Sequence, residues 1–272
     1  MSTLAGVSEL VAAKELLGNL TLRELRGKYK RTALGWGWSL LNPLAMMATY
    51  SLVFSVLLKV KPPVGAGGLR NYPLFLLCAL LPWTFVSGSV ISGMESLVLN
   101  ANLVKKTFFH RQVLVVATVL SFLASFLTEM GVLVVAFLAF GAMVLPWLIP
   151  ALLLMALLLV FVTGVALGLS VLNVYYRDAR YLVGIFMQLW FYATPILYPL
   201  SVVTSSSLDR WVKDLYQVNP MVGFVECMRD LLYERHLPPL GTLGYLVAVS
   251  LVSYLVGSTL FTRLEGRLAE EL

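Results

Sequence analysis

The chain has 272 residues, 59% of them hydrophobic and only 12% charged, with a formal net charge of +6. Soluble domains carry roughly 25% charged residues and about 45–50% apolar ones, so too little charge is present to cover a water-facing surface and lipid must cover the rest. That excludes a soluble domain, and two cysteines, Cys78 and Cys227, exclude a disulfide framework and a cysteine-based zinc site. No polar block is long enough to fold separately, so an N-terminal amphipathic segment, 1–35, and one membrane domain, 36–272, are expected.

The first thirty residues are too charged for the apolar region of a signal peptide, and the first apolar run therefore reads as a retained span. Within 1–35, Thr21 and Glu24 are spaced as a capping box, satisfying free N–H groups at a helix start. Leu22, Leu25 and Tyr29 then recur at helical spacing, with Arg23, Arg26, Lys28, Lys30 and Arg31 on the other faces. Such a helix lies in the headgroup layer with its cations toward anionic lipid; the alternative is the solvated face of a soluble helix.

Six spans of about 20 apolar residues, the length that crosses a bilayer core, are predicted. They cover 38–58, 73–98 (broken at Pro82), 113–143, 148–172, 182–199 and 241–262. Trp36 and Trp38 stand where an aromatic belt belongs, and the long third run tilts or extends beyond the bilayer. Thirteen Lys and Arg residues fall on one side (14–31, 105–111, 177–180 and the tail) and seven on the other. The richer side faces the cytoplasm, with both termini inside. Pro195 and Pro199 end the fifth span, and Asn219-Pro220 opens a helical stretch with Phe224, Met228, Leu231 and Leu232 on one face. A helix too short to cross suggests an external re-entrant hairpin; an amphipathic loop lying on the membrane is the other reading. The fold class is thus an all-α membrane protein of six transmembrane helices, with an interfacial N-terminal helix and re-entrant hairpin helices between spans five and six.

By this topology His110 and His236 lie on opposite sides and cannot share a metal; no metal site and no catalytic residues are expected. No Gly-x-x-x-x-Gly-Lys-Ser/Thr run is present, so a driving ATPase would be another polypeptide. Glu95 and Glu129 fall within spans without basic partners in view. A carboxylate there is costly and functional by default, although a hydrogen-bonded structural carboxyl is equally open for Glu129. Aromatics crowd spans one, two and five: Tyr50, Phe54, Trp83, Phe85, Trp190, Phe191, Tyr192 and Tyr198. Such faces pack on sugar C–H groups, and their O–H and N–H groups bond hydroxyls, which suits a glycan path as well as ordinary helix packing.

Four ordered blocks resemble the type-2 ABC exporter permeases for cell-surface polysaccharides: Arg31-Thr-Ala-Leu-Gly-Trp-Gly-Trp-Ser-Leu-Leu-Asn-Pro-Leu44, Asn100-Ala-Asn-Leu-Val-Lys-Lys-Thr-Phe-Phe-His-Arg111, Asn173-Val-Tyr-Tyr-Arg-Asp178, and Gln188-Leu-Trp-Phe-Tyr-Ala-Thr-Pro-Ile-Leu-Tyr-Pro199 with Asn219-Pro220 and Arg229. His110 departs from the pattern, standing where proline is expected. The resemblance implies a homodimer with two nucleotide-binding subunits, which carry the ATP and Mg; this chain would bind no cofactor, and lipids but no nucleic acid. The cargo it implies is a polyprenyl-diphosphate-linked glycan such as O-antigen, teichoic acid or galactan. It also implies that Asn102, Lys105, Lys106, Phe108, Phe109, His110, Arg111, Arg177 and Asp178 couple to the ATPase. Arg26, Lys28, Lys30 and Arg31 would attract the headgroup, the aromatics and Glu129 would flank the path, and Pro195, Pro199, Asn219, Pro220 and Arg229 would build an external gate. A membrane enzyme acting on polyprenyl-linked sugars, or an ABC permease for a drug or small lipid, are the alternatives.

Overall fold

The computed structural model describes residues 14–30, 33, 35, 37–57, 59, 62–106, 109–205 and 209–271. Among these there is no strand, and five helical stretches are long and apolar enough to cross a membrane: Leu40–Leu57, Tyr72–Leu99, Gln112–Ala139, Leu145–Tyr175 and Leu240–Leu264.

Helix α1 (Lys14–Tyr29) docks along α5, with Leu20 buried against it. Thr21 and Glu24 are interior to this helix, and the Thr21 hydroxyl donates to the Leu17 carbonyl at 2.8 Å, so the expected capping box is not formed. The helix starts earlier, and its protein-facing stripe is Leu17 and Leu20 rather than Leu22, which is 49% exposed. Helix α2 (Gly37–Ser51) runs on into a π-helical turn, Leu52–Leu57, and leaves Leu41, Leu44, Leu52 and Val56 exposed.

Helix α3 (Tyr72–Leu99) is the axis of the molecule, packed on both α5 and α6. Asn71 caps it, accepting the Leu74 N–H at 3.2 Å, and Pro73 fits the first turn, where no intrahelical donor is needed. The predicted break at Pro82 does not occur; the helix is continuous through it. Neighbouring helices tolerate such a proline by enclosing the freed backbone; here Leu80 and Val86 on either side of it are fully buried.

A short α4 (Ala101–Lys106) leads to α5 (Gln112–Ala139). This helix stops four residues before the predicted end at 143. Gly141 takes φ +76°, and the Ala142 and Gly141 N–H groups return to the Phe137 and Leu138 carbonyls at 2.9 and 3.0 Å. That pairing is a Schellman stop, which a left-handed glycine permits. Helix α6 (Leu148–Tyr175) and α11 (Leu240–Leu264) pack along an extensive shared seam. Gly164 and Gly257 let the backbones touch; a Cβ on Gly257 would overlap the Gly164 carbonyl oxygen. Ser253 then donates to the Phe161 carbonyl at 2.9 Å across the seam, the small-residue packing by which membrane helices associate.

The fifth predicted span is shorter than expected. Helix α7 (Ala179–Tyr192) has 14 residues, about 21 Å at 1.5 Å per residue, short of a core of roughly 30 Å. The chain then turns at 193–199 and continues as α8 (Ser201–Thr204), α9 (Arg210–Val218) and α10 (Pro220–Arg229), the last extended by a π-helical turn, Asp230–Glu234. A short α12 (Leu268–Glu271) closes the described chain.

Candidate functional site

The aromatics sort into separate groups. Where α2, α3 and α7 meet, Tyr50 stacks on Phe191 at 6.1 Å, Trp83 meets Phe191 and Trp190 edge-on at 5.7 Å, and Phe186 and Tyr192 extend the series. Five residues read as path aromatics therefore form one seam: Tyr50, Trp83, Trp190, Phe191 and Tyr192. Phe54 joins a second group through Tyr72, at 6.3 Å. Phe85 stacks on Phe126 at 4.9 Å between α3 and α5, apart from this seam, and lines a cavity there with Glu129. Tyr198 shares a 2.7 Å hydroxyl contact with Tyr216 and donates to the Tyr192 carbonyl, tying the turn after α7 to α9.

That turn is pinned from α10. Arg229 is 2% exposed. Its guanidinium donates to the Pro195 and Ile196 carbonyls at 2.6 and 2.8 Å and to Glu226 at 2.7 Å, and lies 3.7 Å from the centre of the Phe75 ring. Asn219 caps α10 by accepting the Met221 N–H at 3.0 Å, while it accepts the Trp190 indole N–H at 2.9 Å and donates to the Ala193 carbonyl at 3.1 Å. Pro220 occupies the first turn. Pro195, Asn219, Pro220 and Arg229, four of the five expected gate residues, thus meet in one bonded unit. Pro199 starts the next turn, accepting the Val202 N–H at 3.1 Å. Sequence reasoning missed Glu226 and Tyr233. Glu226 stands one helical turn before Arg229, a spacing that signals pairing. The Tyr233 hydroxyl accepts the Asn71 N–H at 3.2 Å and faces the Pro63 and Leu69 carbonyls at 3.2 and 3.1 Å, a long-range contact with no local signal. Cys78 and Cys227 are buried free thiols.

The other pole is basic. Asn102, Lys105 and Lys106 are exposed on α4, as are Arg177 and Asp178 in the turn before α7. Arg23 of α1 donates to Asn100 at 2.7 Å, so the N-terminal helix touches this region directly. Phe108 lies outside the described residues, Phe109 is half-buried against the core, and His110 is exposed. Arg111, expected among the ATPase-coupling residues, is tied to the far end of the described chain. Its backbone N–H donates to Glu265 at 3.1 Å, its guanidinium bonds the Glu265 carbonyl, and Gln112 meets Thr262 at 3.2 Å. Glu95, expected to lack a basic partner, has Arg180 3.7 Å away, and both line a 420 Å³ cleft with Arg177 and Asp178.

Arg26 and Lys30 line a shallow recess on the outer face of α1 with Arg23; Arg31 lies outside the described residues. Lys28 leaves that face. Its ammonium sits 3.1 Å from the centre of the Phe122 ring without a hydrogen bond to any described residue. It opens, with Glu129, onto a 490 Å³ cavity lined by Asn42, Thr84, Ser87, Ser92 and Ser125. Burial pushes its pKa down to about 7, against the pull of Glu24 and Glu129.

A bundle that exposes leucine-rich faces and gathers most of its described cations at one end belongs in a bilayer, and the chain is a multi-pass membrane protein. Residues 15–233 match the family described as ABC-2 type transporter, and the chain belongs to that family. It is similar to an O-antigen export system permease protein RfbA of Myxococcus xanthus, 33% identical over 269 residues, which cover 98% of each chain. An RfbA of Klebsiella pneumoniae is 30% identical over 266 residues, 95% of each. The polysialic acid transport protein KpsM of Escherichia coli is 24% identical over 261 residues, 92% of this chain and 93% of that one.

Proposed function

We propose that this chain is the permease subunit of an ATP-driven exporter that moves polyprenyl-diphosphate-linked polysaccharide out of the cytoplasm. The observation that carries the reading is end-to-end similarity to permeases named for polysaccharide export, joined to the aromatic seam of Tyr50, Trp83, Trp190, Phe191 and Tyr192. Aromatic faces slide past sugar rings by stacking, without fixed hydrogen bonds that would arrest a moving chain.

In this reading the chain works as a homodimer with two copies of a nucleotide-binding subunit, which hold ATP and Mg. The exposed cations Lys105, Lys106 and Arg177 suit the rim of that contact, with Phe108 as a candidate anchor. Closure of the ATPase pair would push on the adjoining ends of α3 and α5 as rigid levers. Arg26 and Lys30, with Arg31, concentrate the anionic diphosphate at the cytoplasmic interface. Both termini are cytoplasmic, and α7 with the 193–239 segment takes the place of a sixth crossing and external gate. The exposed stripe Trp211, Leu215 and Val218 on α9 suits an interfacial helix, whereas α10, with Phe224, Val225 and Met228 buried, suits the inserted arm of a hairpin. Both readings of this segment therefore apply to different parts of it.

Depletion of this subunit in cells should cause a lipid-linked glycan to accumulate on the cytoplasmic side while surface glycan falls. Undiminished surface glycan in a strain lacking the gene and any duplicate would overturn the assignment.

A further inference from the structure

Two cavities adjoin between α2 and the α3–α5 pair, sharing Pro43 and Glu129 in their walls. One, of 490 Å³, is polar; the other, of 330 Å³, is lined almost wholly by apolar side chains. They follow one another in the same order on both helices. On α3 the polar chamber takes Thr84, Ser87 and Ser92, and the apolar one Leu74, Leu77 and Leu81. On α5 Phe122 and Ser125 line the first chamber, and Leu133 and Ala136 the second, which reaches Phe140 at the helix end. The stretch from Phe122 to Phe140 covers about 27 Å at 1.5 Å per residue, and one leaflet with its headgroups is about 20–22 Å deep. The polar chamber lies toward the basic pole, since Arg23, on the same helix as Lys28, reaches Asn100 there.

The polar chamber carries one group of each charge. The Lys28 ammonium is buried and makes no hydrogen bond to Glu129 or to any other described residue. It is held over the Phe122 ring, which lies so close to Gly88 that a Cβ there would collide with it. A cation–π contact replaces only part of the hydration an ammonium loses on burial; an anion set against it supplies the rest. Thr84 and Ser87 spend their hydroxyl protons on the Leu81 and Thr84 carbonyls, at 2.9 and 3.4 Å. Their oxygens remain as acceptors beside the Glu129 carboxylate. The chamber therefore suits one anion next to a cation that has N–H groups to donate. A diphosphate, anionic throughout, would be repelled by Glu129.

We propose that this double cavity holds one phosphatidylethanolamine molecule, its phosphate against Lys28, its primary ammonium against Glu129, Thr84 and Ser87, and an acyl chain in the apolar chamber. The lipid fills the gap between α2 and α5, which touch little directly. It thereby sets the position of α2, whose Tyr50 belongs to the aromatic seam. This site stands independently of the cargo assignment.

The test uses the full-length protein, delipidated in detergent and titrated with phosphatidylethanolamine, phosphatidylglycerol or phosphatidylcholine of the same acyl chains. Native mass spectrometry and the thermal midpoint are the readouts. One phosphatidylethanolamine per chain is expected, with a midpoint that rises with its concentration. The other two should bind at least tenfold more weakly, since phosphatidylglycerol has no cation and phosphatidylcholine no N–H donor. Lys28→Met and Glu129→Gln should each weaken binding at least tenfold. Ala136→Phe, which fills the apolar chamber and alters no charge, should do the same, and it carries the comparison if the charge variants fail to fold. Equal retention of the three lipids, or of none, overturns the proposal, as does retention that survives these substitutions. Displacement of the bound lipid by equimolar farnesyl diphosphate would give the cavity to the cargo's headgroup and overturn it too.

Discussion

Arg229 holds its charge in the interior through partners that converge on it: Glu226 from its own helix α10, the Pro195 and Ile196 carbonyls from the turn after α7, and Phe75 from α3. Removing one partner of such a cluster strands the others. Arg229→Met should cost about 3–5 kcal/mol of stability, the scale for breaking a buried ion pair. Unfolding followed in detergent measures it, and a loss within 1 kcal/mol would count against the clamp. Lys28 makes the opposite prediction. Its pKa, about 7, lies below the ordinary 10.5, so the unfolded chain binds more protons between those values and stability rises with pH there. The burial penalty is fully present below pH 7. From pH 7 to 9 the wild type should therefore gain stability relative to Lys28→Met, and parallel curves for the two would refute this. Arg229 was legible in the sequence as a candidate residue, and Glu226 one turn before it could have been, but its carbonyl partners could not, since they lie 33 and 34 positions away.

At the scale of elements, hydropathy located five helices because lipid requires long apolar runs and backbone bonds closed within each helix. It misjudged where they end. Gly141 stops α5 through its left-handed φ, and Pro82, which reads as a break, is absorbed inside α3. The α6–α11 seam depends on size: Gly257→Leu should cost at least about 1–3 kcal/mol through overpacking, read as a lowered thermal midpoint, whereas Leu255→Ala, on an exposed position of the same helix, should change it little. On α4, Lys105 and Lys106 point outward while Val104 is buried. Charge reversal at both lysines should thus leave the fold intact and weaken co-purification with the nucleotide-binding subunit. Undiminished co-purification would remove α4 from that contact.

The whole molecule has two distinct poles. One carries α4, the turn 176–178 and the segment after α11, joined by Arg23–Asn100, Arg180–Glu95 and Arg111–Glu265. The other carries 62–71 and 193–239, joined by Arg229, Tyr233 and Asn219. A cysteine at Ser205 should react with an impermeant thiol reagent in intact cells, and one at Lys105 only after lysis. The reverse pattern would invert the proposed orientation.

Composition and periodicity determined that this protein is helical, spans a membrane and sorts its charge to one end, because each of those follows from local transfer free energies that sum along the chain. Which face of α1 meets protein, which aromatics form the seam, what partners Glu95 and Arg229 find, and that Lys28 and Glu129 open onto one cavity were decided by tertiary structure. Those are meetings between separate elements, and no run of neighbouring residues encodes the angle at which they come together.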